Sequence, residues 1–384
     1  NEIIIGIEPA LAKAAEAFPE MHLHYDGAVE PEILAELGKR RSKDRLTVWL
    51  PHKNPNTTWV KVEFANPRLA DMIRPYAALG VWILSGYKDL ADAEALGADL
   101  IETNGQIKPP KNKGKRFDMH THSEYSHDSV CKIRDMAKAQ TEKKMDGFAV
   151  TDHFDTHSYL RYDVVTPIGK AAEDVDRLNQ KLGEKLRILK GIEISEGFWH
   201  PEIYEKVRDL VDYDVVLGSV HLVQYKDLTR AYSALDFPTF SRETVEEYVD
   251  QYFTDMQTML ETVDFDVLCH LTCPLRYING KFGLGLDRAK YDEKIDTILK
   301  KIIKKGIALE VNVSSYGILG DFLPDTEILQ RYYNMGGYLI TVGTDAHAAE
   351  NAGKNYEIAI ETLKKIGFKN VFFYQNRKPE QITL

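Results

Sequence analysis

Along the last two thirds of the chain, short apolar runs alternate with longer segments in which apolar residues recur every three or four positions. Short continuous apolar runs predict buried strands, and three-to-four spacing predicts amphipathic helices. Helices are predicted over 133–145, 245–260 and 291–304. Strands are predicted at 148–150, 188–193, 213–217, 265–268, 307–312 and 338–342. Repeated βα units of this kind predict a parallel sheet covered by helices.

A basic segment that is nearly free of apolar residues interrupts this pattern at 107–116, which reads IKPPKNKGKR. Proline, glycine and clustered charge are typical of a linker. The sequence therefore predicts a first region at 1–108, a linker at 109–116 and a larger domain at 117–384.

Composition narrows the class of protein. The 384 residues are 43% hydrophobic and 28% charged, which is typical of a globular protein, and the net charge of -10 disfavours nucleic acid as a partner. The three cysteines do not form a disulfide framework, so a reducing, cytoplasmic location is expected. No apolar run is long enough to predict a membrane span.

Histidines and acidic residues follow most of the predicted strands. His120 and His122 are two apart, so on a strand they project to one face. Further polar groups follow later apolar runs, at Asp152-His153, Glu193, His221, His270 and Asp345-Ala346-His347. Ligands at successive strand ends are how a parallel barrel assembles a metal site, and neutral imidazoles with carboxylates suit first-row metal ions.

These motifs resemble those of the polymerase and histidinol phosphatase (PHP) family of metal-dependent phosphoesterases, over a region from about Lys115 to Leu384. The matching segments are DMHTHS at 118–123, TDH at 151–153, GIEI at 191–194, GSVH at 218–221, CHL at 269–271 and GTDAH at 343–347. The resemblance implies an α/β fold, a distorted (β/α)7 barrel, here preceded by a partial (β/α) barrel region. It also implies two or three divalent or trivalent ions of zinc, manganese or iron.

The resemblance further implies a ligand set. One ion would be held by His120, His122, Glu193 and Asp345; a second by Glu193, His221 and His270; and a third by Asp128, His153 and His347. Asp128 is favoured over its neighbour His127 because family members commonly place a ligand six residues after the second histidine of the His-x-His pair.

Three other polar residues near these motifs are expected to lie outside the ligand set. Asp152 is predicted to orient His153 or to cap a turn. His157 and His200 lie in polar segments and are expected to be ordinary surface histidines, although His157 follows His153 closely enough to line a pocket.

The implied activity is hydrolysis of a phosphomonoester by a hydroxide that bridges two metal ions. Asp345, His221 and Arg276 are the expected catalytic groups, and Arg276, Tyr277 and Asn312 are the expected substrate-binding groups. Arg276 would clamp the phosphate through two hydrogen bonds, the alternative being a surface arginine in a loop.

Within the family, the region most resembles the histidinol-phosphatase branch, which implies L-histidinol phosphate as the substrate. The sequence departs from that branch at two places, so another small ester, such as a nucleotide or sugar phosphate, is the alternative substrate. That branch commonly has an arginine after the residue matching Asn312, and here 313–317 reads VSSYG. It often has an acidic-glycine turn after the residue matching His221, and here 222–226 reads LVQYK. A non-catalytic regulatory metal-binding module is the alternative from another class, and the complete ligand set disfavours it.

The first region, 1–108, resembles fragments of two other families. Residues 77–104 resemble the C-terminal end of a glycerophosphodiester phosphodiesterase barrel, with a strand at 77–84, a helix at 88–96 and a last strand at 97–104. His22 and His24 resemble the first zinc motif of adenosine deaminases. The other catalytic motifs of both families are absent, so this region is expected to be non-catalytic. It is expected to dock on the larger domain, to pair with a second copy, or to be a remnant or fusion.

Overall fold

The computed structural model describes residues 112–384, except 160, 227 and 229, together with six strands in the preceding region. The chain divides into two compact units, one of 1–114 with 367–371 and 380–384, and one of 115–366 with 372–379. The division at 114–115 falls inside the segment predicted as a linker.

Six strands are described in the first region: β1 His22–Tyr25, β2 Leu46–Pro51, β3 Trp59–Phe64, β4 Trp82–Ser85, β5 Ala98–Thr103 and β6 Gln106–Lys108. They form one sheet in the order β1-β3-β2-β4-β5-β6. The β4 and β5 strands run parallel, as the predicted βα unit requires. The predicted helix at 88–96 and the side chains of His22 and His24 lie outside the described residues.

The remaining pairs among these six strands are antiparallel, so the described strands form a mixed sheet rather than consecutive barrel units. Chain length between strands gives the reason. Only residues 52–58 separate β2 from β3, and a parallel crossover needs a dozen or more residues.

The second unit contains a sheet of eight parallel strands. They are β7 Phe117–Thr121, β8 Gly147–Val150, β9 His153–Asp155, β10 Arg187–Ser195, β11 Val215–Ser219, β12 Val267–Leu268, β13 Ala308–Asn312 and β14 Ile340–Gly343. Seven of them follow one another as β7-β8-β10-β11-β12-β13-β14, and β9 pairs with the end of β10.

The two ends of this sheet meet. Asp345 donates its backbone N–H to the carbonyl of His120 at 2.8 Å, and His122 donates to the carbonyl of Ala346 at 2.9 Å. These bonds join the end of β7 to the segment that follows β14. The predicted seven-stranded (β/α) barrel is therefore confirmed.

Seven helices of eight or more residues are described: α1 Ile133–Glu142, α2 Val165–Leu182, α3 Pro201–Arg208, α4 Arg242–Thr262, α5 Asp292–Lys305, α6 Thr326–Asn334 and α7 Tyr356–Ile366. Short helical turns lie at Cys273–Leu275 and Tyr316–Leu319, with a π-helical segment at Arg276–Lys281. The predicted helices at 133–145, 245–260 and 291–304 correspond to α1, α4 and α5.

Local signals explain where several helices start and end. The side chains of Ser241 and Asp325 accept backbone hydrogen bonds at the starts of α4 and α6. Gly306 ends α5 in the left-handed conformation. The sequence pattern did not predict α2, α3, α6 or α7, and Val175 is the one buried residue of α2.

The chain ends in a hairpin of β15 Asn370–Gln375 and β16 Lys378–Thr383. Asn376 and Arg377 form its turn, both with positive φ. The Arg377 guanidinium lies 3.0 Å from the carboxylate of Asp266, just before β12, so the turn is fixed to the amino-terminal end of the barrel.

Within the described residues, no helix combines the length and apolar character that a membrane crossing requires.

Candidate metal centre

The predicted metal ligands lie at or just beyond the carboxyl ends of the barrel strands. Their donor atoms fall into overlapping groups of three or four, within 4.8 Å of one another in each group. The nine predicted ligands all lie in these groups, and Cys269 and Glu310 form one further group with His120. The nine are His120, His122, Asp128, His153, Glu193, His221, His270, Asp345 and His347. Because all the strands are parallel, residues hundreds of positions apart share this end of the barrel.

Glu193, in β10, lies at the centre of the cluster and is fully buried. Its Oε1 lies 2.8 Å from Nε2 of His270 and 3.0 Å from Nε2 of His221. Its Oε2 lies 2.9 Å from Nδ1 of His153 and 3.3 Å from Nε2 of His120. Burial alone would raise the pKa of Glu193, but the facing His221, His153 and His120 hold it well below its usual range.

A second group joins the His-x-His pair to the segment after β14. The Nε2 atoms of His120 and His122 are 3.0 Å apart, and Oδ1 of Asp345 lies 3.3 Å from Nε2 of His122. Burial, and then the neighbouring His153, lower the pKa of His122 well below its ordinary value. Asp345 has a φ of 52°, an uncommon conformation for a residue other than glycine.

The third group contains Asp128. Its Oδ2 lies 3.0 Å from Nε2 of His347 and 3.3 Å from Nε2 of His153. The neighbouring His127 is 63% exposed and lies 3.7 Å from Asp155 instead. The geometry thus brings Asp128 into the cluster and leaves His127 at its rim.

These side chains fit metal ions. His153 Nδ1 is buried and lies 2.9 Å from Glu193, yet the pair lacks the geometry of a hydrogen bond. Buried donor atoms that face one another without a hydrogen bond fit positions around cations. Six imidazoles and three carboxylates form the donor set, and imidazole nitrogen with carboxylate oxygen suits zinc, manganese or iron.

Two buried carboxylates that sequence reasoning left out of the site support the cluster from inside the barrel. Glu310, in β13, lies 2.7 Å from Nδ1 of His120. Asp118, in β7, accepts from the backbone N–H of Thr344 at 2.9 Å and from the amide of Gln140 at 2.6 Å. An acidic residue inside an apolar strand is a sequence signal that would have identified both.

Two further carboxylates that were missed lie beside His221. Asp155 Oδ1 lies 3.5 Å from Nδ1 of His221 and accepts a hydrogen bond from the Ser195 hydroxyl at 2.7 Å. Glu196 accepts the backbone N–H groups of His221 and Leu222. Their own sequence surroundings carry no periodic signal that would separate them from solvated acids.

Asp152 caps a turn, one of the two roles predicted for it. It accepts the backbone N–H of Ser123 at 2.5 Å and its hydroxyl at 2.7 Å, in the segment that follows β7. Burial raises the pKa of Asp152 to about 6.

The cluster opens into a cavity of about 920 Å³. Arg276 and Tyr277 line it, and Nη1 of Arg276 lies 3.6 Å from Oδ2 of Asp345. The predicted surface histidine His157 also lines this cavity, whereas His200 is 42% exposed beside Glu202.

Asn312 was predicted to bind substrate, but it lies inside the barrel. It is fully buried and is not among the residues that line the cavity. Its amide nitrogen donates to Glu310 at 3.2 Å, and its amide oxygen accepts from the hydroxyl of Ser314 at 2.5 Å. Its hydrogen-bonding capacity is used inside the protein, so it supports Glu310 from within the barrel.

Residues 118–314, just over half of the chain, match the family model described as PHP domain. The chain belongs to the PHP domain family. The matched segment contains ten of the twelve predicted site residues, and Asp345 and His347 lie beyond its end.

The PHP domain is similar to curated relatives over nearly their full lengths. It is 28% identical over 261 residues to a probable histidinol-phosphatase of Clostridium acetobutylicum, a match that covers 67% of this chain and 96% of the relative. It is 27% identical over 257 residues to a probable histidinol-phosphatase of Thermotoga maritima, covering 66% of this chain and 93% of the relative.

Among solved structures, histidinol phosphate phosphatase from Lactococcus lactis subsp. lactis, complexed with zinc, L-histidinol and phosphate, superposes with a TM-score of 0.57. The two share 21% sequence identity, and the match covers 69% of this chain and 98% of that structure. This likeness establishes a common fold.

Proposed function

We propose that the protein is a metal-dependent phosphomonoester hydrolase whose substrate is L-histidinol phosphate. The observation that carries the proposal is the convergence of six imidazoles and three carboxylates around the buried Glu193 at the mouth of one barrel. The names of the curated relatives, matched over nearly their full lengths, support the choice of substrate.

Two or three ions of zinc, manganese or iron would occupy the three groups of ligands. Glu193 is suited to bridge two of them because each of its oxygens faces a different pair of histidines. When bound, such ions supply an acidified water and neutralise the charge of the phosphate. The side chains that hold them are already oriented by hydrogen bonds to protein groups, as for His120 and His347.

Arg276 is the proposed phosphate clamp. Its guanidinium is partly buried at the cavity wall and lies 3.6 Å from Asp345, so it carries a positive charge to the edge of the ligand cluster. A planar guanidinium binds two phosphate oxygens at once, which positions the ester for attack. Tyr277, whose ring is tilted at 45° to that of Tyr232 with centroids 5.5 Å apart, forms the adjoining wall for the organic part of the substrate.

We assign the metal centre to the domain at 117–384 alone and regard the region at 1–108 as non-catalytic. All nine proposed ligands and both cavity residues, Arg276 and Tyr277, lie in the larger domain.

The test measures metal content and initial rates of phosphate release together. Histidinol phosphate is compared with nucleotide and sugar phosphates for the wild-type protein and for His120→Ala, Asp345→Ala and Arg276→Lys. We expect the first two variants to lose both metal and activity, because each removes a ligand. Arg276→Lys should retain metal and raise KM, because a lysine cannot form the paired hydrogen bonds.

His200→Ala is the matched control, since it removes a histidine outside the cavity and should change neither quantity. Unchanged turnover by metal-free protein would refute the proposed chemistry. A higher kcat/KM for another ester than for histidinol phosphate would refute the proposed substrate but leave the chemistry standing.

A further inference from the structure

One histidine outside the proposed ligand set lies on the wall of the same cavity. His157 lies in the single turn Thr156–Ser158 that follows β9, and it lines the cavity together with His221 and Arg276. Its side chain is 34% exposed, although its Nδ1 is buried. The imidazole is therefore held at the cavity wall with only part of its ring open to solvent.

A buried carboxylate faces this imidazole. Glu196 is fully buried, and its Oε1 accepts the backbone N–H groups of His221 and Leu222. The Ser195 hydroxyl oxygen lies 2.8 Å from its Oε2, and the same carboxylate oxygen lies 3.5 Å from Nδ1 of His157. Nδ1 thus faces Glu196, and no described residue forms a hydrogen bond or ion pair with Nε2 of His157.

The charges around His157 favour its protonated form. The ion pair with Glu196 is the main reason that the pKa of His157 is raised above its ordinary value. Burial opposes the shift, Asp155 adds to it, and Arg161 opposes it. Trp199, with its ring centroid 6.3 Å away, contributes no charge.

The proposed reaction needs an acid of this kind. Breaking the bond between phosphorus and the ester oxygen of an alkyl phosphate would release an alkoxide, which is a poor leaving group unless it is protonated as the bond breaks. The nine proposed ligand side chains would hold the ions, so the proton has to come from another group. General acids matched to this task accelerate reactions by roughly 10²- to 10⁴-fold.

We propose that His157 is the general acid that protonates the leaving oxygen of the substrate, an inference that rests on the proposed phosphomonoesterase function. A hydroxide, formed when a water gives up a proton to solvent, bonds to phosphorus as the P–O bond breaks, and the electron pair of the breaking bond passes to the ester oxygen. That oxygen takes the proton from Nε2 of His157 and leaves as an alcohol. The neutral imidazole then regains a proton from solvent, and Glu196 keeps the ring in place throughout.

His127 also lines the cavity but suits this role less well. It is 63% exposed, and its Nδ1 lies 3.7 Å from Asp155, a carboxylate that also faces His221. No buried carboxylate fixes its ring in the way that Glu196 fixes His157.

The test compares two esters that differ in their need for a proton. Histidinol phosphate releases an alkoxide, whereas p-nitrophenyl phosphate releases a phenolate that leaves without protonation. His157→Gln should lower the rate of hydrolysis of histidinol phosphate by about 10²-fold or more. It should lower the rate for p-nitrophenyl phosphate by less than about threefold. Metal content should stay at the wild-type level, because His157 is not a proposed ligand. His200→Gln, the same change outside the cavity, should leave both rates unaltered. His157→Asn is made in parallel in case the glutamine variant does not fold.

The pH dependence of the rates gives a second measurement. In the wild-type protein, kcat for histidinol phosphate should fall on the alkaline side as His157 loses its proton. The rate for p-nitrophenyl phosphate should not show this loss.

Equal losses on the two esters, or no loss on either, would overturn the assignment of His157 while leaving the phosphatase proposal intact. A metal-loaded wild-type protein that hydrolyses neither ester would overturn both proposals. If kcat of the wild-type protein for histidinol phosphate does not fall at alkaline pH, that result would also contradict the role of His157 as general acid.

Discussion

Glu310 and His120, which are 190 positions apart in sequence, form a buried pair in which Oε1 of the carboxylate lies 2.7 Å from Nδ1 of the imidazole. An ionised carboxylate only accepts, so the proton of this bond belongs to Nδ1. The other ring nitrogen, Nε2, is thereby turned toward Glu193. The second oxygen of Glu310 accepts the backbone N–H of His270 at 2.7 Å, so one carboxylate positions two of the proposed ligands.

Replacing this carboxylate should weaken metal binding without removing a ligand. In Glu310→Gln, the amide can present either an oxygen or an N–H group, and it cannot satisfy both His120 and His270 as acceptors. We expect metal affinity to fall by about 10- to 100-fold, measured by competition with a chelator. Glu361→Gln, an exposed change on α7, is the control. Equal affinities in the two variants would exclude a positioning role for Glu310.

The space for this pair depends on Gly343 at the end of β14. A Cβ added at this position would overlap Oε1 of Glu310 and lie 2.5 Å from Cβ of His120. Gly343→Ala should therefore displace both side chains, lower the free energy of unfolding by about 1–3 kcal/mol and reduce metal content.

Gly317→Ala is the matched control for that change, because a Cβ there meets nothing within 4 Å. It should leave both stability and metal content close to wild type. A wild-type metal content and melting temperature in Gly343→Ala would show that the barrel interior relaxes around the added methyl group.

The turn of the C-terminal hairpin should contribute measurably to stability. The Arg377 guanidinium contacts both carboxylate oxygens of Asp266, with distances of 3.0–3.2 Å, and Asp266 is largely buried. Arg377→Ala leaves that carboxylate without its cation, and we expect the free energy of unfolding to fall by about 1–3 kcal/mol in urea denaturation.

The exposed pair of Arg177 and Asp174 provides the comparison, since Arg177 is 62% exposed. Arg177→Ala should cost less than about 1 kcal/mol, because water screens an exposed ion pair. Equal losses in the two variants would mean that the Arg377 contact is no stronger than a surface pair.

Asp255, on α4, should make the protein less stable at neutral than at mildly acidic pH. Its side chain accepts from Gln251 at 2.7 Å, its second oxygen has no partner among the described residues, and burial raises its pKa to about 6. The native state thus holds a proton that the unfolded state releases near pH 4, the ordinary aspartate value. The stabilisation that the native state gains from protonated Asp255 is complete below about pH 4 and is lost as the pH rises to about 6.

Asp255→Asn removes the charge while keeping an acceptor for Gln251. We expect a gain of about 1 kcal/mol over wild type at about pH 8 and almost none at about pH 4, from urea denaturation at each pH. The difference between variant and wild type isolates this group from the other acids that titrate in the range. A variant that gains as much at pH 4 as at pH 8 would assign the effect to packing.

Much of the barrel could be predicted because its signals are local. Apolar runs and helical spacing depend on neighbouring residues, and they predicted α1, α4, α5 and most of the strands. The same locality pointed to several of the proposed ligands, because a polar residue directly after an apolar run lies at a strand end wherever that strand is placed, and the family resemblance completed the set. The C-terminal hairpin and the helices α2, α3, α6 and α7 were not predicted.

The contacts that complete the site could not be predicted in the same way. Glu310, Asp155 and Glu196 contact residues from other strands, and nothing near them in sequence indicates those partners. The family resemblance implied that Asn312 binds substrate, and the sequence left His157 as a surface residue or a pocket residue. Their positions depend on which strand lies next to which.

By itself, the sequence determined the repeating βα units, the barrel and, through the family resemblance, the grouping of Asp128 with His153 and His347. Tertiary structure alone decided that His127 lies at the rim beside Asp155. It also decided that Glu310 contacts His120, and that Glu196 faces His157 at the cavity wall. The physical reason is that strand periodicity is a short-range property, whereas a side chain's partners are set by the closure of a sheet that joins residues far apart in the chain.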